Sequence, residues 1–141
     1  MGLEERLGMK ALGRHLLLDL YECDPVLLAQ VDQVRSILRE AVRAARATIV
    51  TDHFHQFQPY GVSGVIVISE SHATIHTWPE KSCAAVDLFT CSETVDTDRL
   101  VQVLTEQFKA SQTRISIVER GVGIELDVKE RSPWHPADHL R

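Results

Sequence analysis

The sequence predicts an α+β domain in which two helices cover one face of a mainly antiparallel sheet. Three observations carry the prediction. Short apolar or β-branched runs of strand length recur along the chain. Two longer stretches place apolar residues at helical spacing, and the order is strand, helix, strand, hairpin, strand, helix, strand. Both helices packed on one side of such a sheet bury all of these apolar faces at once.

Arg14–Tyr21, with Leu16, Leu17, Leu18 and Leu20, is the first strand. Asp24-Pro25 reads as an N-cap and a first helical residue. Leu27, Val31, Val34, Leu38, Ala41 and Ala45 then recur at spacings of four and three, predicting one helix over about Pro25–Ala45. Arg35, Arg39, Arg43 and Arg46 fall largely off its apolar face. Thr48–Thr51 is strand-like, and the polar-aromatic run from His53 to Tyr60 reads as a strand end entering a loop at Pro59. Val65–Ile68 and Ala73–Thr77 form a hairpin around Ser69-Glu70-Ser71-His72. Pro79–Ser82 interrupts the pattern before a strand at Ala84–Thr90. Asp96–Asp98 offers caps for a second helix carried by Leu100, Val103, Leu104 and Phe108. Arg114–Val118 alternates as a strand, Gly123–Val128 adds an edge strand, and residues 1–11 and the tail after Lys129 are loose.

Composition limits the function. The 141 residues fit one domain spanning 1–141, with no linker or internal repeat to divide it. No apolar run approaches the ~20 residues of a membrane helix. The charged start lacks the apolar stretch of a secretory signal, so the expected location is cytoplasmic. A net charge of −5 without a basic stripe argues against nucleic acid as the main partner. Cys23, Cys83 and Cys91 form no CxxC pair and read as free thiols in a reducing compartment.

Four of the seven histidines (His53, His55, His72 and His76) lie within 53–76, but no cysteine or carboxylate at short spacing completes a zinc motif, so histidines lining a polar pocket or the surface are the better reading and no metal is expected. A Ser-His-acid triad can be drawn from Ser69 or Ser71, His72 or His76, and Asp87, yet there is no nucleophile elbow around either serine. Cys91, at a strand end, is either a buried structural thiol or an acid or nucleophile served by His76 on a neighbouring strand. Glu70-Ser71 is either a polar hairpin turn or the site of an intramolecular acyl transfer. In the second case Ser71 Oγ attacks the Glu70 carbonyl, elimination and hydrolysis follow, and a pyruvoyl group remains on the new N-terminus. That chemistry needs a strained peptide, an oxyanion donor and a base, for which Ser63 and His76 are candidates if strand pairing brings them to the turn.

Ser69-Glu-Ser-His72, Ile75-His-Thr-Trp-Pro-Glu80, Asp87-Leu-Phe-Thr-Cys91 and Tyr60-Gly-Val-Ser-Gly64 together resemble the S-adenosylmethionine decarboxylase proenzymes of bacteria and archaea. Gly13-Arg-His15 and Tyr21-Glu-Cys-Asp24 extend the resemblance over about residues 10–125. It implies a two-layer α/β sandwich and a pyruvoyl-dependent lyase that makes the aminopropyl donor for spermidine. It implies cleavage between Glu70 and Ser71 into a β chain of 1–70 and an α chain of 71–141, with the pyruvoyl cofactor derived from Ser71 and no pyridoxal phosphate. Ser63 then assists processing, His76 accepts the proton in the elimination, and Cys91 is the proton donor in decarboxylation. Phe57 stacks on adenine, where its face also suits a sulfonium, and Glu80 binds the ribose hydroxyls. The short form pairs as a homodimer of processed protomers with active sites at the interface.

Two departures bear on the substrate. Lys81-Ser82-Cys83 stands where the family usually has an aromatic or His, a Gly and a Tyr, and Ser92 stands where it usually has Gly. A pyruvoyl-dependent arginine or ornithine decarboxylase is therefore the alternative, although retention of Phe57 and Glu80 favours a nucleoside-bearing substrate. An unprocessed, non-enzymatic binding protein is a third possibility, against which Ser63, Ser71, His76 and Cys91 stand together.

Overall fold

The computed structural model describes residues 11–123. The expectations for residues 1–10, the tail, and all but the first residue of the Gly123–Val128 strand lie outside them. Six strands form one antiparallel sheet: β1 (Gly13–Tyr21), β2 (Ile49–Gln56), β3 (Val62–Ile68), β4 (Ser71–Trp78), β5 (Cys83–Thr90) and β6 (Gln112–Arg120), in the spatial order β2-β3-β4-β5-β1-β6. Helices α1 (Pro25–Ala29), α2 (Val31–Ala44) and α3 (Thr97–Gln107) complete the second layer.

Alternation explains the layering. Leu16, Leu18 and Leu20 of β1, Val62, Ile66 and Ile68 of β3, Ala73 and Ile75 of β4, and Val86 and Leu88 of β5 are buried. They meet Val34, Ile37, Leu38, Ala41 and Val42 of α2 and Leu100, Val103 and Leu104 of α3 in one core. Residues between them on the strands point to the opposite face, which no helix covers among the described residues. Phe108, fully buried, closes the core after α3. Asp24 and Asp96 cap α1 and α3 as their sequence positions suggest, accepting from Val26 N and Arg99 N, each at 3.0 Å.

The single helix expected over Pro25–Ala45 is two helices. Gln30 has φ −115° and ψ 141°, an extended residue between α1 and α2. The break is held from the sheet. Gln56 Nε2 donates to the Ala29 carbonyl at 2.9 Å, while its Oε1 accepts from Val31 N at 2.6 Å. Thr77 Oγ1 donates to the Leu28 carbonyl at 2.8 Å, and Gly61 N to that of Ala29 at 3.0 Å. Helical groups left open by the break are thus satisfied by β2, β4 and the loop between β2 and β3. Periodicity is blind to this, because the apolar spacing continues through the break.

β2 runs through His53 to Gln56 and the chain then enters a loop, as the His-rich segment was expected to do. The Phe54 ring lies against Gly64 on β3, where an added Cβ would come within 2.1 Å of it, so this strand position admits only glycine without rearrangement. β6 is confirmed as a strand, but every residue in it is exposed, including Ile115 and Ile117 on the helix side.

Candidate active site

The β3–β4 hairpin turns through Ser69 and Glu70 alone, with Ile68 and Ser71 paired across it. Its tip is tied down on both sides. Ser69 N donates to the Thr48 carbonyl at 2.9 Å, and Thr48 N donates to Glu70 Oε1 at 3.0 Å. The Glu70 carbonyl oxygen accepts from Cys91 N at 3.0 Å and from Cys91 Sγ at 3.2 Å. Ser71 itself has φ +143°, a conformation L-residues rarely adopt, which costs about 1–3 kcal/mol and persists only where the surroundings enforce it. The bond between Glu70 and Ser71 therefore joins a carbonyl held by two donors to a strained serine. Cys91 is exposed and lines a cavity of about 290 Å³ with Arg14, Thr90, Ser92, Glu93 and Glu119.

Ser63 and His76 face one another across β3 and β4, Ser63 Oγ lying 2.7 Å from His76 Nδ1. They line a second cavity, of about 320 Å³, with Phe57, Tyr60, Trp78 and Glu80. Gly61, with φ +104°, shapes the loop that brings Phe57 there, and Phe57 N donates to its carbonyl at 2.8 Å. Phe57 presents an exposed ring, edge to face with His55 at 4.7 Å. Four residues singled out from the sequence, Phe57, Ser63, His76 and Glu80, thus share one cavity.

The two groups do not meet within one chain. His76 is five residues beyond Ser71 on β4, about 17 Å at roughly 3.4 Å per strand residue. Strand pairing was expected to bring Ser63, His76 and Ser71 together, but it sets Ser63 and His76 at the far end of the hairpin. It also denies Cys91 the imidazole of His76, which pairs with Ala85. The donor at the Glu70 carbonyl is instead the backbone of Cys91, which residue identity does not reveal.

The drawn triad is absent as a triad, since no serine joins it. Asp87 Oδ2 accepts from His15 Nε2 at 2.5 Å and His72 Nε2 at 3.2 Å, and Thr74 Oγ1 donates to its other oxygen. Burial pushes the Asp87 carboxyl up, but hydrogen bonds from Thr74, His15 and His72 outweigh it and hold the group below the usual carboxylate range. Sequence reasoning missed His15, because only the register of β1 on β5 brings it beside Asp87. Cys23 is a different kind of thiol from Cys91: burial, then the neighbouring Cys83, push it up to about 11, leaving it inert. Among the described residues no helix is long and apolar enough to cross a membrane.

The fold and site define a two-layer α/β sandwich protein whose hydroxyl, thiol and imidazole groups gather on one β-hairpin and the strand end beside it. A family profile described as S-adenosylmethionine decarboxylase matches residues 14–121. The chain is 50% identical over 129 residues to an S-adenosylmethionine decarboxylase proenzyme of Thermotoga maritima, covering 92% of this chain and 99% of that one. It is 39% identical over 114 residues to one from Pyrococcus abyssi, covering 81% and 82%. The crystal structure of the adenosylmethionine decarboxylase from Aquifex aeolicus superposes with a TM-score of 0.75 at 37% identity, covering 80% of this chain and 93% of that chain. The chain belongs to the S-adenosylmethionine decarboxylase family.

Proposed function

We propose that the chain cuts its own backbone between Glu70 and Ser71, converts residue 71 into a pyruvoyl group, and then decarboxylates S-adenosyl-L-methionine to the aminopropyl donor for spermidine synthesis in the cytoplasm. The observation that carries the reading is the hairpin tip, a carbonyl held by Cys91 N and Sγ next to a serine at φ +143°. Ser71 Oγ attacks the Glu70 carbonyl carbon, the C–N bond breaks as its nitrogen takes the hydroxyl proton, and an ester replaces the peptide. The oxygen that gains charge in this step is the one facing Cys91 N–H, the position an oxyanion donor must hold. Loss of the Ser71 Cα proton expels the Glu70 carboxylate and leaves dehydroalanine. Water then releases ammonia and leaves a ketone at residue 71.

The residues present fit a pyruvoyl group, because its precursor hydroxyl, strained bond and oxyanion donor are all at the tip. That group supplies an electrophilic ketone and a sink for the electron pair left when CO2 departs. The chain's own side chains do the rest. Cys91, whose Sγ lies 3.2 Å from the Glu70 oxygen, holds the proton for the substrate's α-carbon. The Phe57 face takes the adenine, Glu80 accepts from the ribose hydroxyls, and the Ser63–His76 pair assists cleavage as donor and proton acceptor.

Because His76 and the Ser63 that faces it lie about 17 Å from Ser71 along the hairpin, in the cavity that also holds Phe57 and Glu80, the site is completed by a second copy. Leu17, Val67, Trp78 and Val118 support the pairing, since they are exposed on the sheet face that the helices leave bare. All the relatives reported above are named for S-adenosylmethionine, none for arginine or ornithine. Intact mass tests the reading: the chain should resolve into fragments ending at Glu70 and beginning at residue 71, while Ser71→Ala stays at 15.9 kDa without activity. A single uncut species after long incubation, or turnover of arginine alone, overturns it.

A further inference from the structure

The cluster of Asp87, His15 and His72 belongs to neither cavity, yet it stands directly behind the strained serine. His72 is joined to Ser71 by a peptide bond. Its Nε2 reaches Asp87 at 3.2 Å, and its ring stacks on Phe89, with centroids 5.9 Å apart and planes at 19°. His15 stands edge-on to both rings, at 6.0 Å from His72 and 5.4 Å from Phe89. Arg120 closes the group, its guanidinium 5.6 Å from the Phe89 centroid and its NH1 3.2 Å from His15 Nδ1.

The ligand atoms of His15, His72 and Asp87 all lie within 4.8 Å of one another, which also suits a metal ion. The proton arrangement speaks against one. Arginine can only donate, so His15 Nδ1 must accept and the ring proton sits on Nε2, facing Asp87. A neutral imidazole that ligates through Nε2 needs the opposite tautomer. The cluster is a hydrogen-bonded post.

A strained residue keeps its conformation only if both flanks are fixed. On the N-terminal flank of Ser71, the Glu70 carbonyl and carboxylate are held by Cys91 and Thr48. On the C-terminal flank, the only side chain in the two following residues with a stacked ring and a charged partner is His72. We propose that His72 and Asp87 are positioning residues for self-cleavage: by clamping the residue after Ser71 they hold Ser71 Oγ in line with the Glu70 carbonyl and favour the ester over the peptide. The inference rests on cleavage at Glu70–Ser71.

Hydroxylamine tests it, because it attacks the Glu70 carbonyl carbon of an ester, giving a hydroxamate and a free Ser71, and leaves a peptide intact. Wild type, His72→Ala, His72→Gln and Asp87→Asn are followed for spontaneous and hydroxylamine-driven cleavage by intact mass, with thermal midpoints taken in a Ser71→Ala background. Expected are a slowing of at least about tenfold in both His72→Ala and Asp87→Asn, a smaller hydroxylamine-cut fraction, and substantial rescue by the donor of His72→Gln, with midpoints little changed. Wild-type cleavage rates in His72→Ala or Asp87→Asn overturn the inference. So does a loss of cleavage that merely follows a fall in the midpoint. Should His72→Ala not fold, Asp87→Asn, which changes a single atom type, decides alone. Failure of the wild-type chain to cleave overturns instead the reading of the Glu70–Ser71 bond.

Discussion

Mixing two inactive variants should restore activity if each active site draws on two chains. Cys91→Ala removes the thiol but keeps the backbone N–H that faces the Glu70 carbonyl, so the turn retains its oxyanion donor. Glu80→Gln alters the far cavity and leaves the turn untouched. A hydrogen bond needs its partners within about 3.5 Å, whereas the two ends of the hairpin are about 17 Å apart on a rigid ladder. In a Cys91→Ala/Glu80→Gln heterodimer one site then carries both defects and the other carries none. Random pairing makes half of the dimers mixed, so the pool should recover about a quarter of wild-type activity, on top of the residual rates of the parents. The assay is release of labelled CO2 from carboxyl-labelled S-adenosylmethionine after co-expression, with mass spectrometry to establish the fraction of mixed dimers. Activity no greater than the average of the two parents, with mixed dimers present, refutes a site shared between chains.

Two further outcomes concern stability. Asp87 and Asp52 are both held below the usual carboxylate range, in each case against burial: Asp87 by Thr74, His15 and His72, and Asp52 by hydrogen bonds and charge from Arg39 and Arg35. Their folded values lie below the unfolded ones, so their contribution is fully present above about pH 4 and is lost as pH falls through the folded values. Urea midpoints of the Ser71→Ala chain should fall below that pH, and the gap between it and its Asp52→Asn derivative should shrink there; a constant gap removes Asp52 from the linkage. Ser82 has φ +51° at the end of the turn Pro79–Lys81. Ser82→Gly should raise the thermal midpoint by roughly 2–3 °C, since the left-handed penalty of about 1–2 kcal/mol exceeds the added chain entropy of glycine; a lower midpoint contradicts this.

The strands, the caps at Asp24 and Asp96 and the separation of sheet faces were legible because alternation and capping are local. The break at Gln30 was not, because its cause is the side chain of Gln56, 26 residues away, bonding to both sides of it. The site divides in the same way. Ser69-Glu70-Ser71-His72 stood out by residue type as a polar connection between two apolar runs, with a plain turn and a cleavage site both open, and Cys91 stood out by its position at a strand end, with a structural and a chemical role both open. The donor on the Glu70 carbonyl, however, is a backbone N–H, and the post behind Ser71 depends on the registers of β1 and β4 on β5. Ser63 and His76 were expected beside the turn of their own chain and instead face one another five residues beyond Ser71, since spacing along a hairpin says which residues meet only after the turn residues have been counted.

The hairpin thus has two ends with different tasks, and its rigidity is what separates them. A single chain can strain its Glu70–Ser71 bond by itself, because Thr48, Cys91, His72 and Asp87 all belong to that same chain. It cannot bring its own His76 to the Ser71 Cα proton, for the ladder that holds the tip also fixes His76 far along β4. On the proposed roles, acyl transfer is then a property of one chain and elimination a property of the pair. The ester can form reversibly in an unpaired chain, with the backbone still recoverable as a peptide, and the irreversible step waits for a partner whose sheet face covers Leu17, Val67 and Val118. Such an arrangement ties the creation of the reactive ketone to the assembly that shields it from water.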